Sequence, residues 1–139
     1  MVGSIVTLCA SLALSLVPPQ PATPEAAPEL HPIETQVIEK TNAERARFGL
    51  HPLKLDHRLL GSARRHAAWM TNSRSMVHTN QPVAENIAMG QNSSSEVLNT
   101  WMNSSGHRAN ILNPGYTRIG VAAYTTPEGT IYWCQQFLR

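Results

Sequence analysis

Apolar residues at helical spacing predict two helices in the first half of the chain. The first covers residues 33–48 and ends at Gly49, a residue typical of helix C-termini. An extended connector over residues 51–55 leads to Asp56, a residue type that caps the start of a second helix. We interpret His66, on or beside the apolar face of that helix, as a packed, hydrogen-bonded core histidine. The apolar face itself consists of Leu59, Leu60, Ala63, Ala67 and Met70.

A third helix is predicted from the spacing of Ser93 and Glu96. This is the pattern of a capping box, in which the serine side chain caps the helix and the glutamate reaches back. A Ser-Ser-Gly break at residues 104–106 ends this helix, and a short helical turn over residues 107–112 follows it. The predicted buried face of the third helix consists of Val97, Leu98, Trp101 and Met102.

The remaining segments predict loops and a C-terminal hairpin. Residues 71–82 are polar and typical of a loop, and the AENIA sequence at 84–88 is predicted as one helical turn. Residues 118–124 and 130–138 have the alternation and the β-branched or aromatic composition of strands. The TPEG sequence at 126–129 predicts the turn between them. Helices followed by strands indicate an α/β domain with an antiparallel sheet covered by helices.

The amino-terminal part of the chain has a different composition. Residues 1–17 form an apolar run that is too short to span a bilayer comfortably and is typical of a secretory signal, although no Lys or Arg precedes it. An uncleaved membrane anchor is the alternative. We place the signal peptide at 1–22 and a Pro/Ala-rich linker at 23–32. The folded domain would then span 33–139, be secreted or located at the cell envelope, and have no membrane span in the mature chain.

Charge and cysteine content narrow the function classes. The chain has 11 Lys and Arg against 9 Asp and Glu, and its longest basic run is Arg64-Arg65, which argues against nucleic-acid binding. We interpret this pair as a solvated helix face. Loss of Cys9 with the signal would leave Cys134 without an internal disulfide partner. Its aromatic surroundings predict a small buried hydrophobe and not a nucleophile. We expect a monomer held together by packing.

His78 and His107 lie on segments without apolar periodicity, and packing does not require either of them there. Glu85 is a charge placed beside apolar neighbours. Two imidazoles and one carboxylate form a ligand set for zinc with an open coordination position. They would serve equally well as a hydrogen-bonded lock between loops, and no HExxH-type motif favours the metal. The residues alone leave both interpretations open.

Several motifs, taken in order, resemble the CAP superfamily of cysteine-rich secretory proteins, antigen 5 and plant pathogenesis-related proteins. They are NAERARFGLHPLKLDHRLLGSARRHAAWM, MVHTN, AENIAMG, WMNSSGHRANILNPGYTRIGVAAY and IYWCQQF. The chain most resembles the short, cysteine-poor bacterial branch of this family, called SCP-like, over about Ile33 to Phe137. The resemblance implies an α-β-α sandwich with a small antiparallel sheet between helical layers. It also implies a cleft, lined in many members by two histidines and two acidic residues, that often holds a divalent cation.

The resemblance assigns three of these four positions in this chain. His78 matches the first histidine, Glu85 the first acid, and His107 the second histidine. Ser104 stands where eukaryotic members have the second acid, and Ala84 stands where the family usually has Gly. The missing carboxylate weakens the attraction for zinc or another divalent cation. The predicted ligand cleft comprises His78, Glu85, Ser104 and His107, and the predicted metal ligands are His78, Glu85 and His107.

Three functions fit these features. The first is a secreted, non-enzymatic module whose cleft binds a divalent cation and a small or peptide-like extracellular ligand. The second is a peptidase-like hydrolase, with His78 or His107 as general base and Glu85 orienting it, or with a metal activating water. A pair of Ser104 or Ser105 with His107 is a variant of this second function, but no nucleophile elbow supports it. The third is a cell-wall structural protein, which only its partner would distinguish from the first.

Overall fold

The computed structural model describes residues 27–139, which form four helices and one four-stranded sheet. The predicted signal peptide and residues 23–26 of the predicted linker lie outside the described residues. Within the described part, no helix has the length and apolar character needed to cross a membrane. The elements are α1 (Pro32–Arg47), β1 (Lys54–Leu55), α2 (His57–Ser73), β2 (Ala84–Met89), α3 (Ser94–Met102), α4 (Ser105–Ile111), β3 (Arg118–Thr125) and β4 (Ile131–Leu138).

The strands of the sheet have the order β1-β3-β4-β2. Strand β1 runs parallel to β3, while β3 with β4 and β4 with β2 are antiparallel. The predicted hairpin is confirmed and forms β3 and β4. Its turn is closed by Thr126, whose hydroxyl accepts a hydrogen bond from the Thr130 backbone N–H at 3.1 Å, and by Gly129, whose φ of 93° favours glycine.

The prediction of a helical turn at residues 84–88 is wrong, because these residues form β2 at the edge of the sheet. The strand pairs with β4 from Ala84 opposite Phe137 to Met89 opposite Tyr132. A segment this short cannot satisfy its backbone groups as an isolated helix, whereas β4 offers a partner for them along its whole length. The pairing partner lies more than 40 residues away in sequence, and local pattern gives no sign of it.

Alternation along β4 divides the domain into two layers of core around the sheet. Cys134 contributes to the core on the α2 side, while Trp133 and Phe137 contribute to the larger core beneath α1 and α3. The predicted α-β-α sandwich is therefore confirmed. The core on the α2 side consists of Ala63, Ala67, Met70, Ile87, Ala122, Tyr132 and Cys134.

Helix α2 begins and packs as predicted. The Asp56 carboxylate accepts hydrogen bonds from the backbone N–H groups of Arg58 at 2.8 Å and Leu59 at 3.0 Å. All five predicted apolar residues of this helix are buried. The helix lies so close to β3 that a Cβ atom at Gly120 would overlap the backbone of Leu59. This close contact fixes the position of α2, and with it the side chains that α2 directs toward the edge of the sheet.

A buried arginine fixes the position of α4 relative to α1. The Arg45 side chain is 1% exposed, and its guanidinium donates only to backbone carbonyls. Because several of these carbonyls belong to the end of α4 and the loop after it, Arg45 holds that segment in place without a carboxylate partner. The acceptors are the carbonyls of His51, Ile111, Asn113 and Tyr116.

The interpretation of the arginine pair in α2 as a solvated face is correct for Arg65 only. Arg64 forms a bidentate ion pair with the buried Glu34 of α1, with both N–O distances at 2.7 Å. It also donates to the Glu29 carbonyl at 2.7 Å. The pKa of Arg64 is raised, chiefly by the hydrogen bond to Glu34. The pair joins α1 to α2, a contact between distant segments that the sequence pattern did not indicate.

Capping and a buried tryptophan fix α3 against β2. The Ser93 hydroxyl accepts a hydrogen bond from the Glu96 N–H at 3.1 Å, and the Glu96 carboxylate accepts one from the Asn92 N–H at 2.9 Å. Glu96 therefore has the structural capping role that the sequence predicted, although it bonds Asn92 and not Ser93. The fully buried Trp101 donates to the Ile87 carbonyl at 3.1 Å. These contacts place α3, and α4 directly after it, beside the edge strand.

Candidate functional site: a polar cleft at the edge of the sheet

Glu85 lies at the centre of the candidate site. Strand β2 places it two residues before Ile87, which belongs to the α2-side core, so its side chain points to the same side of the sheet. The side chain is only 3% exposed. Oε2 accepts a hydrogen bond from the Gln136 amide at 2.9 Å and a weaker one from the Cys134 thiol at 3.4 Å. This oxygen is therefore fully engaged by β4.

The other carboxylate oxygen of Glu85 joins the loop before β2. Oε1 accepts hydrogen bonds from the Thr79 backbone N–H at 2.9 Å and from Nδ1 of His78 at 2.8 Å. A carboxylate only accepts, so Nδ1 of His78 carries the hydrogen, and a neutral ring then has its lone pair on Nε2. The His78 side chain is 59% exposed. The site thus holds an exposed imidazole in a defined tautomer by means of a buried carboxylate.

The pKa of the Glu85 carboxyl shows which effect dominates here. Burial raises the pKa, but the hydrogen bonds from Gln136, Thr79 and His78 and the nearby ring of His66 together lower it below the ordinary value. Glu85 is therefore ionised at neutral pH although it is buried. Burial next to Glu85 raises the pKa of the Cys134 thiol well above its ordinary value, which agrees with its predicted role as an unreactive buried group.

A third histidine, His66 of α2, joins the site, and the sequence assigned it elsewhere. Its Nε2 lies 2.7 Å from the Val77 carbonyl, to which it must donate, and 3.8 Å from Oε1 of Glu85. The ring stacks on Trp69 with centroids 5.8 Å apart and planes at 12°. The hydrogen bond and the packing of His66 agree with the prediction. The prediction that His66 belongs to the core is wrong, because neither core cluster contains it. The only signal in the sequence was its position at the margin of the apolar face.

His107 lies on α4, across the edge strand from α2. Its backbone carbonyl accepts a hydrogen bond from the Asn86 amide at 3.1 Å. Its Nδ1 is buried and has no hydrogen-bond partner among residues 27–139. Burial and then repulsion from His78 lower its pKa, so the ring is neutral at pH 7. The neighbouring Arg108 is exposed, with its guanidinium 5.1 Å from the ring centroid of Phe48.

Asn86 holds α4 against the sheet. It lies on the face of β2 opposite Glu85 and is fully buried. Besides the His107 carbonyl, its amide donates to the Gln135 side chain at 3.0 Å, and its oxygen accepts from the Asn110 amide at 2.9 Å. The position of His107 is therefore set from behind the edge strand.

Ser104 has no comparable attachment to the cleft. It is the N-cap residue of α4, and its hydroxyl makes no capping hydrogen bond. Within the described part of the chain it makes no hydrogen bond to His78, Glu85 or His107. The serine–histidine pair of the hydrolase hypothesis is therefore not formed. The structure joins His78 and Glu85 directly and adds His66. Asn86 holds the backbone of His107 from the opposite face of the strand, and within the described residues the His107 ring makes no hydrogen bond to the other three side chains.

Two open cavities adjoin this cluster on the α2 side. The larger, of about 380 Å³, is lined by His66, Trp69, His78, Thr79 and Asn80. The second, of about 250 Å³, shares three of these residues, His66, Trp69 and Thr79. Most lining groups can donate or accept hydrogen bonds, and Trp69 supplies an aromatic ring. Concave sites of this kind accommodate small polar ligands.

The donor set does not match a three-ligand metal site. Both oxygens of Glu85 already accept hydrogen bonds, so this carboxylate stands behind His78 as its partner and does not face outward as a ligand. Among residues 27–139, no group of three or more His, Cys, Asp or Glu side chains is arranged to hold a metal ion. The geometry therefore gives no support to a cation held jointly by His78, Glu85 and His107.

Comparison with known proteins identifies the family. The family model described as CAP, the cysteine-rich secretory protein family, matches residues 38–137. The chain belongs to this family and has a CAP domain of the bacterial SCP type. The resemblance seen in the sequence motifs is therefore confirmed.

Individual relatives agree with this assignment. The chain is 40% identical to a Bacillus subtilis (strain 168) protein called YkwD, over 76% of this chain and 46% of that protein. An extracellular protein from Bacillus anthracis str. Ames that contains an SCP domain is similar in structure, with a TM-score of 0.69 and 26% identity over 81% of this chain and 45% of that one. An outer surface protein from Borrelia burgdorferi shares the fold, with a TM-score of 0.68 and 20% identity over 74% of this chain and 89% of that one. The chain spans less than half the length of the two Bacillus relatives.

Proposed function

We propose that this chain acts outside the cytoplasm as a non-enzymatic binding module, with the polar cleft as its recognition site. The cleft comprises His78, Glu85 and His107, together with His66. Its ligand is a small or peptide-like molecule, or a cell-wall component, that forms hydrogen bonds with the imidazoles. The location is supported by the extracellular relative of Bacillus anthracis and by the signal-like run at residues 1–17.

One observation carries the proposal: an exposed imidazole is held by a buried, ionised carboxylate. Burying Glu85 is unfavourable unless its charge is compensated, and the fold uses two side chains of β4 and one loop N–H to do so. A side chain that served only packing would not end in a ring that is 59% exposed beside a cavity. Groups fixed in this way bind a ligand without losing much conformational freedom.

The proposal is tested by nuclear magnetic resonance with the histidine ring signals as reporters. Short peptides and oligosaccharides are titrated against the folded protein, and we expect the rings of His66, His78 and His107 to shift together and saturably. The variant His78→Ala should lose the response. The matched control is His57→Ala, since His57 is an exposed histidine at the start of α2, outside the cleft. A response that survives His78→Ala, or that equally involves His57, would refute the cleft as the site.

Cation binding is tested separately, by calorimetric titration of the same protein with zinc chloride. Of the three predicted ligands, only the ring nitrogens of His78 and His107 remain, because the oxygens of Glu85 are engaged. We therefore expect no saturable zinc binding at neutral pH. Tight, stoichiometric binding that is lost in His78→Ala would show that the two histidines suffice, and the cation would then belong to the function.

A further inference from the structure

We propose that the α2 side of the cleft binds a carboxylate-bearing saccharide. This inference rests on the proposed function and names the ligand class of the same cleft. It concerns the two cavities that meet at His66, Trp69 and Thr79. Three features of these cavities carry it: an exposed aromatic ring, walls made of hydrogen-bonding side chains, and a cation without a partner.

The aromatic ring belongs to Trp69, which is 50% exposed, whereas Trp101 and Trp133 are fully buried. Its stacking on His66 fixes the indole, so the ring is rigid before any ligand arrives. Tryptophan presents a large apolar face at low entropic cost, which suits it to contact a flat ligand. The C–H face of a pyranose ring is such a partner.

The remaining walls are polar throughout. The lining residues other than His66 and Trp69 are Ser62, Arg65, His78, Thr79, Asn80 and Gln81. The exposed apolar side chains of Met76 and Val77 line neither cavity. A ligand that fills both cavities therefore meets one apolar ring and many donors and acceptors. This combination matches the hydroxyl groups of a saccharide and not the apolar side chains of a peptide.

The guanidinium of Arg65 is the reason to expect a negatively charged group on the ligand. Within residues 27–139, Arg65 has no carboxylate partner, in contrast to its neighbour Arg64, which is paired with Glu34. No acidic side chain lines either cavity, and Glu85, which accepts a hydrogen bond from the lining residue His78, is buried and already engaged by Gln136 and Thr79. The guanidinium is thus available for a ligand carboxylate, which arginine binds through two parallel hydrogen bonds.

The test uses the intact protein and three probes: trigalacturonate, neutral chitotriose and the acidic peptide triglutamate. Since Trp69 is the exposed tryptophan, it dominates acrylamide quenching of fluorescence, and a bound saccharide should protect it. We expect trigalacturonate to protect the ring saturably, chitotriose to bind about tenfold more weakly, and triglutamate to give no protection.

Variants are compared by calorimetry. Trp69→Ala should weaken trigalacturonate binding by about tenfold or more, and Arg65→Gln should remove its advantage over chitotriose. The matched control is Phe48→Ala, because Phe48 is 48% exposed but lies outside both cavities, and its removal should change nothing.

The outcomes separate this inference from the proposed function. Preferred binding of triglutamate, or saccharide binding that is unchanged in Trp69→Ala, would overturn the saccharide and leave the cleft as a recognition site if His78→Ala still abolishes binding. Saccharide binding that needs Trp69 but not His78 would confirm the aromatic subsite and refute the cleft as proposed. Absence of binding by all three probes would overturn the saccharide inference alone.

Discussion

The two faces of the β2–β4 strand pair carry two polar networks that differ in one respect. On the α1 side, Asn86, Gln135 and Thr41 are fully buried and bonded to one another or to backbone carbonyls. On the α2 side, Glu85 and Gln136 are buried as well, but their network continues through His78 to solvent. The first network is closed and the second is open.

Each network has the form that its task requires. A closed network in a low-dielectric interior stabilises one arrangement of the chain, since each broken hydrogen bond leaves a buried group without water. It therefore serves to hold α4 on the edge strand. The open network uses the same kind of groups to orient a ring that another molecule can reach. Strand alternation brings both networks together, and one strand pair thus carries both scaffold and site.

Among the substitutions that test this comparison, Asn86→Ala should have the largest effect, because it removes the central residue of the closed network. The substitution leaves the fully buried side chain of Gln135, the partly buried amide of Asn110 and the carbonyl of His107 short of a partner. We expect a loss of about 3 kcal/mol or more in the free energy of unfolding, measured by urea denaturation. Asn72→Ala, at an exposed position of α2, is the control and should change little. A loss below about 1 kcal/mol would mean that the network is not structural.

The central residue of the open network should matter less to stability. Glu85→Gln keeps the shape of the side chain but removes its charge. The new amide group would also face the hydrogen-bond donors that now surround the carboxylate. We expect a loss of about 2 kcal/mol, because charge-assisted hydrogen bonds contribute about that much. Glu39→Gln, at an exposed position of α1, is the control. Equal stability of Glu85→Gln and the wild type would show that the carboxylate is not ionised in the folded protein.

Acidification should weaken the protein in two stages. The pKa of His107 is lowered by burial, so the unfolded chain binds a proton more readily, and stability is lost as the pH falls below the ordinary value of 6.5. The lowered pKa of Glu85 adds a second loss below its ordinary value of 4.5. Thermal unfolding between about pH 8 and pH 2 measures both. In His107→Gln the first stage should disappear while the second remains, and persistence of the first would assign it to another group.

The smallest effect on stability is expected for His78→Ala. The ring is 59% exposed, and water can replace its hydrogen bond to Glu85. We expect a change of about 0.5 kcal/mol or less in urea denaturation, together with the loss of ligand binding described above. A loss comparable to that of Asn86→Ala would make His78 a structural lock, which was the alternative for this residue, and would remove the contrast between the networks.

Sequence pattern predicted the helices well because each has a local signal. Asp56 and Ser93 cap as expected, and the apolar face of α2 is buried as predicted. Sequence pattern did not predict β2, because the pairing partner of this strand is distant in sequence. It also did not place His66 in the site, because its neighbours Val77 and Glu85 come from other segments. The motifs of the CAP family supplied His78, Glu85 and His107, but no motif indicated that the carboxylate would lie behind the histidine.

The sequence by itself determined the four helices that form, the terminal hairpin and the family, but it also predicted a helical turn where β2 lies. These follow from local spacing, capping chemistry and motif order, all of which act over a few residues. Only the tertiary structure decided which face of β2 each side chain occupies. That choice sends Glu85 toward Gln136 and Asn86 toward Gln135, since pairing with β4 fixes both register and direction. The proposed function of the cleft depends on that register, because it leaves His78 with one ring nitrogen bonded and the other available.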